Sequence, residues 1–468
     1  MSRAHHVTAA LLAPTLILLA ASCDKVWGIS PRTLDPRLVC DDNGCRCSAS
    51  FGDCDGDQAN GCEVDFSQSL EACGTCGARC DNGLCTSGVC QCKPGFGDCD
   101  GDKSNGCEVD FSRSPEACGT CGVRCDNGVC TDAICQCKAG FTNCDSDKSN
   151  GCETSIADDP SSCGACGHDC LGSSCTDGRC APTMLAKLYA PTSLAVDGGY
   201  LYIGSCDAPT LQRVPIRGGT IETVYEGQGC VRALAVDQGS LYFATTDQIL
   251  TMKLDGSSPP SLVVAAPGFS EVLGVVGGYV YWQADSSYIN RFSPAKGLEA
   301  DLGNDSFPVH AISLTPARAY WAGASAIVSL RHDKLVPSTV AAVQSDFTTG
   351  VPAFILDAAH AYWAEPMNSV IKTVPIGGGT ESVLTSASKP TSFFVDAASL
   401  YWTDAASQDV RVVPLGAPNA KSKVIAAGQE IVNGSRIVGD EEAVYWFTVG
   451  AITGGSGNDT GKVWRVTK

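Results

Sequence analysis

The strongest constraint on this chain is a run of 26 cysteines between Cys40 and Cys180 that recur with a period of 45 residues. Residues 54–98 and 99–143 align without gaps and are identical at 33 of 45 positions. Large apolar side chains are scarce here, so the repeats cannot build a core and need covalent bridges, each contributing about 2–4 kcal/mol. The period predicts a linear array whose units contact their neighbours. We expect 13 disulfides from these 26 cysteines, with the connectivity open, because eight cysteines per unit allow on the order of 100 pairings.

The cysteine content also indicates an oxidising compartment, because disulfide-rich chains are characteristic of exported proteins. The spacing of Cys73, Cys76 and Cys80 could also hold zinc or an iron–sulfur cluster. Disulfides are the favoured interpretation, since the cysteines of the array are even in number and regularly spaced.

The N-terminus has the pattern of an export signal. Residues 7–21 are uncharged and mostly apolar, shorter than the ~20 residues of a membrane span but typical of a signal peptide. The following Leu-Ala-Ala-Ser-Cys, ending at Cys23, resembles the lipobox of bacterial lipoproteins. This resemblance implies a signal peptide at 1–22, lipidation of Cys23 and a lipid-anchored linker at 23–39. The alternative is cleavage after Ser22, which would give a freely secreted protein.

Each repeat also contains a loop rich in carboxylates. Ca²⁺ takes six to eight oxygen ligands, and the loops resemble those of EF-hands and thrombospondin calcium repeats. Asp-Gly and Asn-Gly also form turns without any cation, so a calcium site and a plain turn are both open. The candidate ligands are Asp53, Asp55, Asp57, Asn60, Glu63, Asp98, Asp100, Asp102, Asn105, Glu108, Asp145, Asp147, Asn150 and Glu153.

The net charge argues against nucleic acid as a partner. The chain carries 32 basic and 51 acidic side chains, a balance of −19. Residues 40–180 hold 24 acidic and 9 basic residues, so −15 of this charge lies in the array. Nucleic-acid binding requires a cationic face, whereas bound divalent cations would relieve the repulsion within the array.

A second repeat begins after residue 181 and predicts a β-propeller at 182–468, following the disulfide array at 40–181. Its most regular position is a tyrosine, followed in five copies by tryptophan and preceded five residues earlier, in five copies, by aspartate. A repeat of about 40 residues with four strands per unit is the signature of propeller blades. The tyrosines are Tyr202, Tyr242, Tyr281, Tyr320, Tyr362, Tyr401 and Tyr445.

The number of copies predicts seven blades, with six or eight as alternatives. The last copy ends after its third strand, at residues 462–466. We expect residues 183–189 to supply the missing fourth strand, because pairing the two ends of the propeller removes an open sheet edge. The fold class is therefore mainly β, a small disulfide-rich array followed by a seven-bladed propeller.

Two stretches carry family resemblances. Leu-Tyr-Trp-Thr-Asp, at residues 400–404, resembles the Tyr-Trp-Thr-Asp repeats of propellers of the low-density-lipoprotein-receptor type. The array, with its Cys-Asp-Gly-Asp-x-x-Asn-Gly-Cys-Glu and Cys-Gly-x-Cys-Gly motifs, is similar to modules in surface lipoproteins of myxobacteria-like bacteria. These resemblances imply a surface location and a propeller architecture.

The propeller places several polar residues at one end of its channel. Loops from strand four to the next strand one share a face with the loops between strands two and three. Cys206 and Cys230 therefore lie on this face, on adjacent blades, and we expect them to form a disulfide. Residues that open the inner strands should line the channel mouth, where ligands commonly bind; a solvated rim is the alternative. The candidate binding residues are Arg232, Glu271, His310 and Arg436.

These observations predict a non-enzymatic lipoprotein at the outer membrane or cell surface. We expect a monomer that is tied to the membrane by its lipid and displays the propeller to bind a protein or polysaccharide. The sequence contains no Gly-x-Ser-x-Gly elbow, phosphate loop or dinucleotide fingerprint. The first alternative is a propeller lyase or hydrolase in which His310 and Glu271 act as acid and base. The second is a passive spacer.

Overall fold

The computed structural model describes residues 37–41, 44–57, 60–206, 210–227, 229–284, 288–302, 309, 311–323, 326–342, 353–432, 434–449 and 460–468. The predicted signal peptide and Cys23 lie outside the described residues. Contacts divide the chain into two compact units. The first comprises Met1–Lys138 and Asp145–Glu153, and the second comprises Ala139–Cys144 and Thr154–Lys468. Within the described residues, no helix has the length and apolar character needed to cross a membrane.

The first unit consists of short antiparallel hairpins joined by disulfides. The strand pairs in its described residues are Leu38–Asp41 with Gly44–Cys47, Phe51–Gly52 with Val64–Asp65, Gly83–Thr86 with Val89–Cys92, Phe96–Gly97 with Val109–Asp110, and Gly128–Thr131 with Ile134–Cys137. Close packing replaces a large core: the Phe66 ring lies where a Cβ on Gly52 would be, and Phe111 does the same at Gly97. The repeated Phe-Gly pair therefore marks a position where only glycine fits.

Disulfide pairing in the first unit follows the repeat, which confirms the disulfide interpretation of the cysteines. The bonds are Cys40–Cys45, Cys47–Cys62, Cys54–Cys76, Cys73–Cys85, Cys80–Cys90, Cys92–Cys107, Cys99–Cys121, Cys118–Cys130, Cys125–Cys135 and Cys137–Cys152. Cys40 and Cys45 correspond to Cys85 and Cys90, whose partners have no equivalent in the shorter first copy, and they pair with each other. The loops closed by Cys92–Cys107 and Cys99–Cys121 overlap, so one repeat is linked covalently into the next.

The second unit contains a seven-bladed β-propeller, as the aromatic repeat predicts. Each blade is a four-stranded antiparallel sheet, and the inner strand of every blade contacts the inner strands of both neighbours. Blade 1 has the strands Pro191–Asp197, Tyr200–Ser205, Thr210–Pro215 and Glu222–Glu226. Blade 2 has Ala233–Asp237, Ser240–Ala244, Gln248–Lys253 and Ser261–Ala265. Blade 3 has Phe269–Val276, Tyr279–Ala284, Tyr288–Ser293 and Gly297–Glu299.

The remaining blades repeat this order. Blade 4 has Ile312–Leu314, Arg318–Ala322, Ala326–Arg331 and Ser338–Ala342. Blade 5 has Phe354–Leu356, His360–Glu365, Val370–Pro375 and Ser382–Ser386, with a short 3₁₀ helix at Pro366–Asn368. Blade 6 has Pro390–Val395, Ser399–Asp404, Asp409–Pro414 and Lys423–Ala426. Blade 7 has Ile437–Gly439, Ala443–Thr448, Thr460–Thr467 and Thr183–Tyr189.

Blade 7 closes the ring by joining the two ends of the propeller. Its outer strand, Thr183–Tyr189, comes before blade 1 in the chain and pairs antiparallel with the last strand, Thr460–Thr467. The prediction that the early strand completes the last blade is therefore confirmed. This pairing gives blade 7 the same four strands as the other blades and ties the two ends of the propeller together.

Buried aromatic residues fill the contacts between blades. Five tryptophans of the repeat are 1% exposed or less: Trp282, Trp321, Trp363, Trp402 and Trp446. Each packs large apolar area in a sheet-on-sheet interface, where aromatic side chains contribute most. The repeated aromatic step is thus a packing feature.

The aspartate five residues before the tyrosine forms the turn between strands one and two. Asp357 Oδ1 accepts from the N–H groups of Ala359 and His360, and its Oδ2 accepts from the Tyr362 hydroxyl at 2.6 Å. Asp440 makes the same bond to Tyr445 at 2.8 Å. The pattern therefore combines a turn signal with a side-chain bond that holds the buried tyrosine.

Two other parts of the second unit belong to the third cysteine repeat. They are the strand pairs Phe141–Thr142 with Thr154–Ser155 and Cys175–Thr176 with Arg179–Cys180. The bonds Cys144–Cys166, Cys163–Cys175 and Cys170–Cys180 continue the pairing of the earlier repeats. The end of the array therefore packs as part of the same compact unit as the propeller.

Candidate functional site

A cavity of about 180 Å³ lies in the propeller channel, at the end where the inner strands begin. Residues from all seven inner strands or the positions just before them line it. Arg232 and Arg436 are among these residues, as the sequence predicts for the channel mouth. Glu271 lies within the strand Phe269–Val276, but its side chain and the whole of His310 fall outside the described residues.

Threonine and serine pairs lie beside both arginines in this lining. Blades 1 and 6 begin with the same three residues, Pro-Thr-Ser, at 191–193 and 390–392. The Thr-Ser pairs line the cavity together with Arg232 before blade 2 and Arg436 before blade 7. Going round the ring from blade 6 to blade 2, hydroxyl pairs and arginines therefore alternate. The sequence analysis missed these hydroxyls, although the repeated Pro-Thr-Ser could have revealed them.

Two donors in this lining have no partner among the described residues. The Nε atom of Arg232 and the Oγ atom of Ser193 are both buried and form no hydrogen bond there. Ser193 is only 6% exposed. An unsatisfied buried polar group costs about 1–3 kcal/mol, so such positions usually have a partner.

In the described lining, the side formed by blades 3, 4 and 5 is apolar. Val272, Ala311 and Ala353 occupy the positions that correspond to Ser193, Ser392 and Arg436 of blades 1, 6 and 7. Val272 and Ala353 are buried. The described lining therefore has a cationic, hydroxyl-bearing half and an apolar half.

A covalent bond lies near Arg232. The structure pairs Cys206, after strand two of blade 1, with Cys230, two residues before Arg232. The Val231 N–H also donates to the carbonyl oxygen of Ser205 at 3.1 Å. The segment that leads into Arg232 is therefore held to blade 1 by the disulfide and by the backbone hydrogen bond of the next residue.

Two carboxylates on the same face are structural. Glu365 is 1% exposed and binds the Trp363 indole N–H at 3.2 Å and Lys372 Nζ at 3.1 Å. Asp404, also 1% exposed, accepts hydrogen bonds from the backbone N–H groups of Ser388, Lys389, Ala406 and Ser407. Both carboxylates organise the loops of their own blades.

The described histidines of the propeller also make structural contacts. His332 Nε2 bonds to the Thr315 carbonyl oxygen at 2.9 Å, and its Nδ1 lies 2.8 Å from the Tyr281 hydroxyl. Burial and the neighbouring Arg291 lower the pKa of His332. His360 lies 3.8 Å from Asp357 at the end of an inner-strand turn.

The other end of the channel has the opposite character. A larger cavity, of about 670 Å³, is lined by the ends of the inner strands and the turns that follow them. Its charged residues are Asp197, Asp396, Asp440, Glu441 and Lys468. Lys468 Nζ pairs with Asp396 at 2.7 Å. Among the described lining residues, the two ends of the channel therefore differ in the sign of the charge that predominates.

The acidic loops of the array have the hydrogen bonds of turns. Asp53 Oδ1 accepts the Gly56 N–H at 2.7 Å, and Asp55 accepts from the Asp57 N–H and the Asn60 side chain. One oxygen each of Asp53, Asp55 and Glu63 lie within 4.8 Å of one another, and the second repeat shows the same grouping at Asp98, Asp100 and Glu108. These bonds account for the turns themselves, and calcium binding stays a prediction from the sequence.

The cysteine motif that could have held a metal is fully used in disulfides. Cys73 pairs with Cys85, Cys76 with Cys54, and Cys80 with Cys90. Their sulfurs are therefore not available as thiolate ligands.

Comparison with protein-family models finds no match, and comparison with curated proteins finds none. Among solved structures, virginiamycin B lyase from Staphylococcus aureus aligns at 14% identity, with 60% of this chain and 97% of that chain covered and a TM-score of 0.46. A catalytically inactive form of that lyase with quinupristin aligns at 14% identity, with 62% of this chain and 100% of that chain covered and a TM-score of 0.47. The computationally designed Ika8 protein aligns at 14% identity, with 60% of this chain and 99% of that chain covered and a TM-score of 0.44. Likeness at this level concerns the fold and carries no argument about activity.

Proposed function

We propose that this protein is a non-enzymatic, exported surface protein whose propeller binds an extracellular macromolecule at the arginine-lined end of its channel. The observation that carries the proposal is that Arg232 and Ser193 line one cavity and that each has a buried donor, Nε and Oγ respectively, without a partner among the described residues. Groups of this kind at a concave site favour a ligand as the missing partner.

The disulfides support the exported location. Fourteen bonds join cysteines in the described residues, and such bonds persist in oxidising compartments. The proposal includes lipidation of Cys23 and anchoring in the outer membrane or at the cell surface. Mass spectrometry of the mature N-terminus tests this part, because an acylated Cys23 supports it and an unmodified one contradicts it.

A binding assay tests the proposed site. The mature chain would be immobilised through its N-terminal segment. It would then be incubated with labelled extracellular polysaccharides and secreted proteins from the organism that produces it. We expect retention by the wild type, loss of retention in Arg232→Gln, and normal retention in Arg331→Gln. Arg331 pairs with Asp333 and is exposed, so the control removes the same charge away from the channel. No retention by any form would favour the passive spacer.

The same experiment distinguishes binding from catalysis. We expect retained material to be recovered chemically unchanged, with the same mass before and after incubation. Cleavage of the ligand by the wild type, abolished in His310→Ala, would instead establish the lyase or hydrolase alternative.

A further inference from the structure

We infer that the arginine-lined end of the channel binds an oxyanion, a carboxylate, sulfate or phosphate group of its ligand. The inference rests on the proposed binding function and specifies the chemistry of the ligand. It is carried by the arrangement of arginines and hydroxyls over four consecutive blades, 6, 7, 1 and 2.

Equivalent threonines lie beside the backbone that precedes both arginines. The Thr192 hydroxyl in blade 1 donates to the carbonyl oxygen of Val231, the residue directly before Arg232. The Thr391 hydroxyl in blade 6 lies 3.5 Å from the carbonyl oxygen of Ser435, directly before Arg436, and makes shorter contacts with the hydroxyl and the carbonyl oxygen of Thr403, at 2.8 Å and 3.3 Å. Thr192 therefore holds the backbone from which Arg232 extends, and Thr391 occupies the equivalent position before Arg436.

The unpartnered groups define what the ligand must offer. Arginine has only donors and stays charged at all relevant pH values, and a serine hydroxyl can donate as well. Arg232 Nε and Ser193 Oγ are buried without a partner in the described part of the chain. Their complement is therefore an acceptor, and beside a guanidinium an ionised acceptor forms the stronger hydrogen bond.

The hydroxyls of blade 6 and the second arginine also line the cavity, and they have partners of their own. Ser392 Oγ accepts the Ile437 N–H at 3.2 Å, and Arg436 Nη1 contacts the Gly434 carbonyl oxygen at 3.4 Å. Arg436 therefore contributes positive charge to the cavity lining while it also contacts its own segment.

The rest of the channel supports the direction and size of the ligand group. The far end carries Asp197, Asp396, Asp440 and Glu441, which disfavour an anion there by like-charge repulsion. The cavity of about 180 Å³ accepts a single functional group rather than a folded surface. The apolar half at Val272, Ala311 and Ala353 suits the carbon skeleton next to an anionic group.

Titration of the full mature chain with small anions tests the inference. The probes are sodium sulfate, inorganic phosphate and sodium glucuronate, each at constant ionic strength set with chloride, and binding is followed by calorimetry. We expect one of these anions to bind with one site per chain, and Arg232→Gln to weaken it by about tenfold or more. Arg331→Gln, the matched loss of an exposed arginine, should leave the affinity unchanged. Thermal unfolding would verify that each variant is folded.

Two further variants test the positioning role of Thr192. Thr192→Val removes the hydroxyl that bonds to the Val231 carbonyl oxygen, and we expect weaker anion binding. Thr192→Ser keeps a hydroxyl at this position and should restore most of the affinity. Equal effects of the two variants would contradict this positioning role.

The outcomes separate the anion sources and the two proposals. Preference for glucuronate indicates a uronate ligand, and preference for sulfate or phosphate indicates an esterified one; both support the oxyanion inference. The inference is overturned if no probe binds or if Arg232→Gln and Arg331→Gln behave alike. In that case Arg232-dependent retention of a macromolecule would still support the proposed function, whereas anion binding without any retention would contradict that function alone.

Discussion

Arg465, in the last strand of the chain, donates from Nη2 to the carbonyl oxygen of Leu171 at 2.8 Å, although 294 residues separate them in sequence. Its Nη1 donates to the carbonyl oxygen of Ile216 in blade 1 at 2.7 Å. The side chain is 2% exposed. One guanidinium therefore joins blade 7, blade 1 and the end of the third cysteine repeat within the second unit.

Related bonds occur between other blades. Arg213, opposite Tyr202, donates to the Leu254 carbonyl oxygen of blade 2 at 3.1 Å. Arg291, opposite Tyr281, donates to the His332 carbonyl oxygen of blade 4 at 3.0 Å. In blades 1, 3 and 7, an arginine paired with the repeated tyrosine thus reaches a main-chain acceptor of the next blade.

Loss of the Arg465 side chain should destabilise the second unit. Arg465→Met keeps much of the apolar volume but removes the donors to the partly buried carbonyl oxygens of Leu171 and Ile216, at about 1–3 kcal/mol each. We expect the free energy of unfolding, measured by denaturant titration with tryptophan fluorescence, to fall by about 2–5 kcal/mol. Arg217→Gln, which removes an exposed pair with Glu442, should change it by less than about 1 kcal/mol.

Ring closure gives a second prediction, with both variants in one strand. Leu188 is 6% exposed and packs in the cluster that contains Val463, whereas Met184 is 41% exposed. Leu188→Ala should cost about 2–5 kcal/mol of unfolding free energy because it leaves a cavity at the closing strand. Met184→Ala should cost much less. Equal losses in a denaturant titration would contradict a closing role for this strand.

Protonation of His332 should weaken the propeller as the pH falls. Burial lowers its pKa, as does Arg291, while the bond to the Thr315 carbonyl oxygen and the charge of Asp333 oppose this shift. The folded pKa lies below the unfolded value of about 6.5, so the unfolded state takes up more protons as the pH falls below about 7. The stability provided by neutral His332 is therefore complete above this value and is lost on acidification.

The comparison of two histidine variants measures this effect. We expect the melting temperature of the wild type to fall between pH 7 and pH 5, and His332→Gln to flatten this dependence. His360→Gln serves as the control because His360 is half-exposed. The same slope in the wild type and His332→Gln would contradict the prediction. Carboxylates with lowered pKa values, such as Asp357 and Asp396, take up protons at lower pH and do not contribute to the change between pH 7 and pH 5.

The propeller could be predicted from sequence because its signals are periodic. The tyrosine equivalent to Tyr401 recurs in all seven copies and the tryptophan equivalent to Trp402 in five of them, and a period near 40 residues allows few architectures. Closure by residues 183–189 followed from counting strands. The disulfide connectivity could not be derived, since spacing alone does not exclude the alternatives, and the contact of Arg465 with Leu171 has no local sequence signal.

The site was predicted only in part for a related reason. Arg232 and Arg436 were expected because they precede inner strands, and both line the channel cavity. Ser193 and Ser392 could not be identified in this way, because a hydroxyl in a strand gives no sign in the sequence of whether it will have a partner. That property depends on neighbouring blades, which only the folded ring brings together.

The disulfide beside the site connects stability with binding. Cys206 and Cys230 close a loop with a sequence separation of 24, which in the chain-entropy model is worth about 3 kcal/mol. Cys206→Ser with Cys230→Ser should therefore lower the melting temperature. It should also weaken anion binding, because Cys230 lies two residues before Arg232 and anchors that segment to blade 1.

The control is Cys40→Ser with Cys45→Ser, which opens a bridge with a sequence separation of five in the first unit and should leave anion affinity unchanged. Anion binding to both double variants is measured by calorimetry, and titration of free thiols verifies their cysteine content. An unchanged affinity in the variant that lacks Cys206 and Cys230 would show that Thr192 and the strand hydrogen bonds position Arg232 without the disulfide.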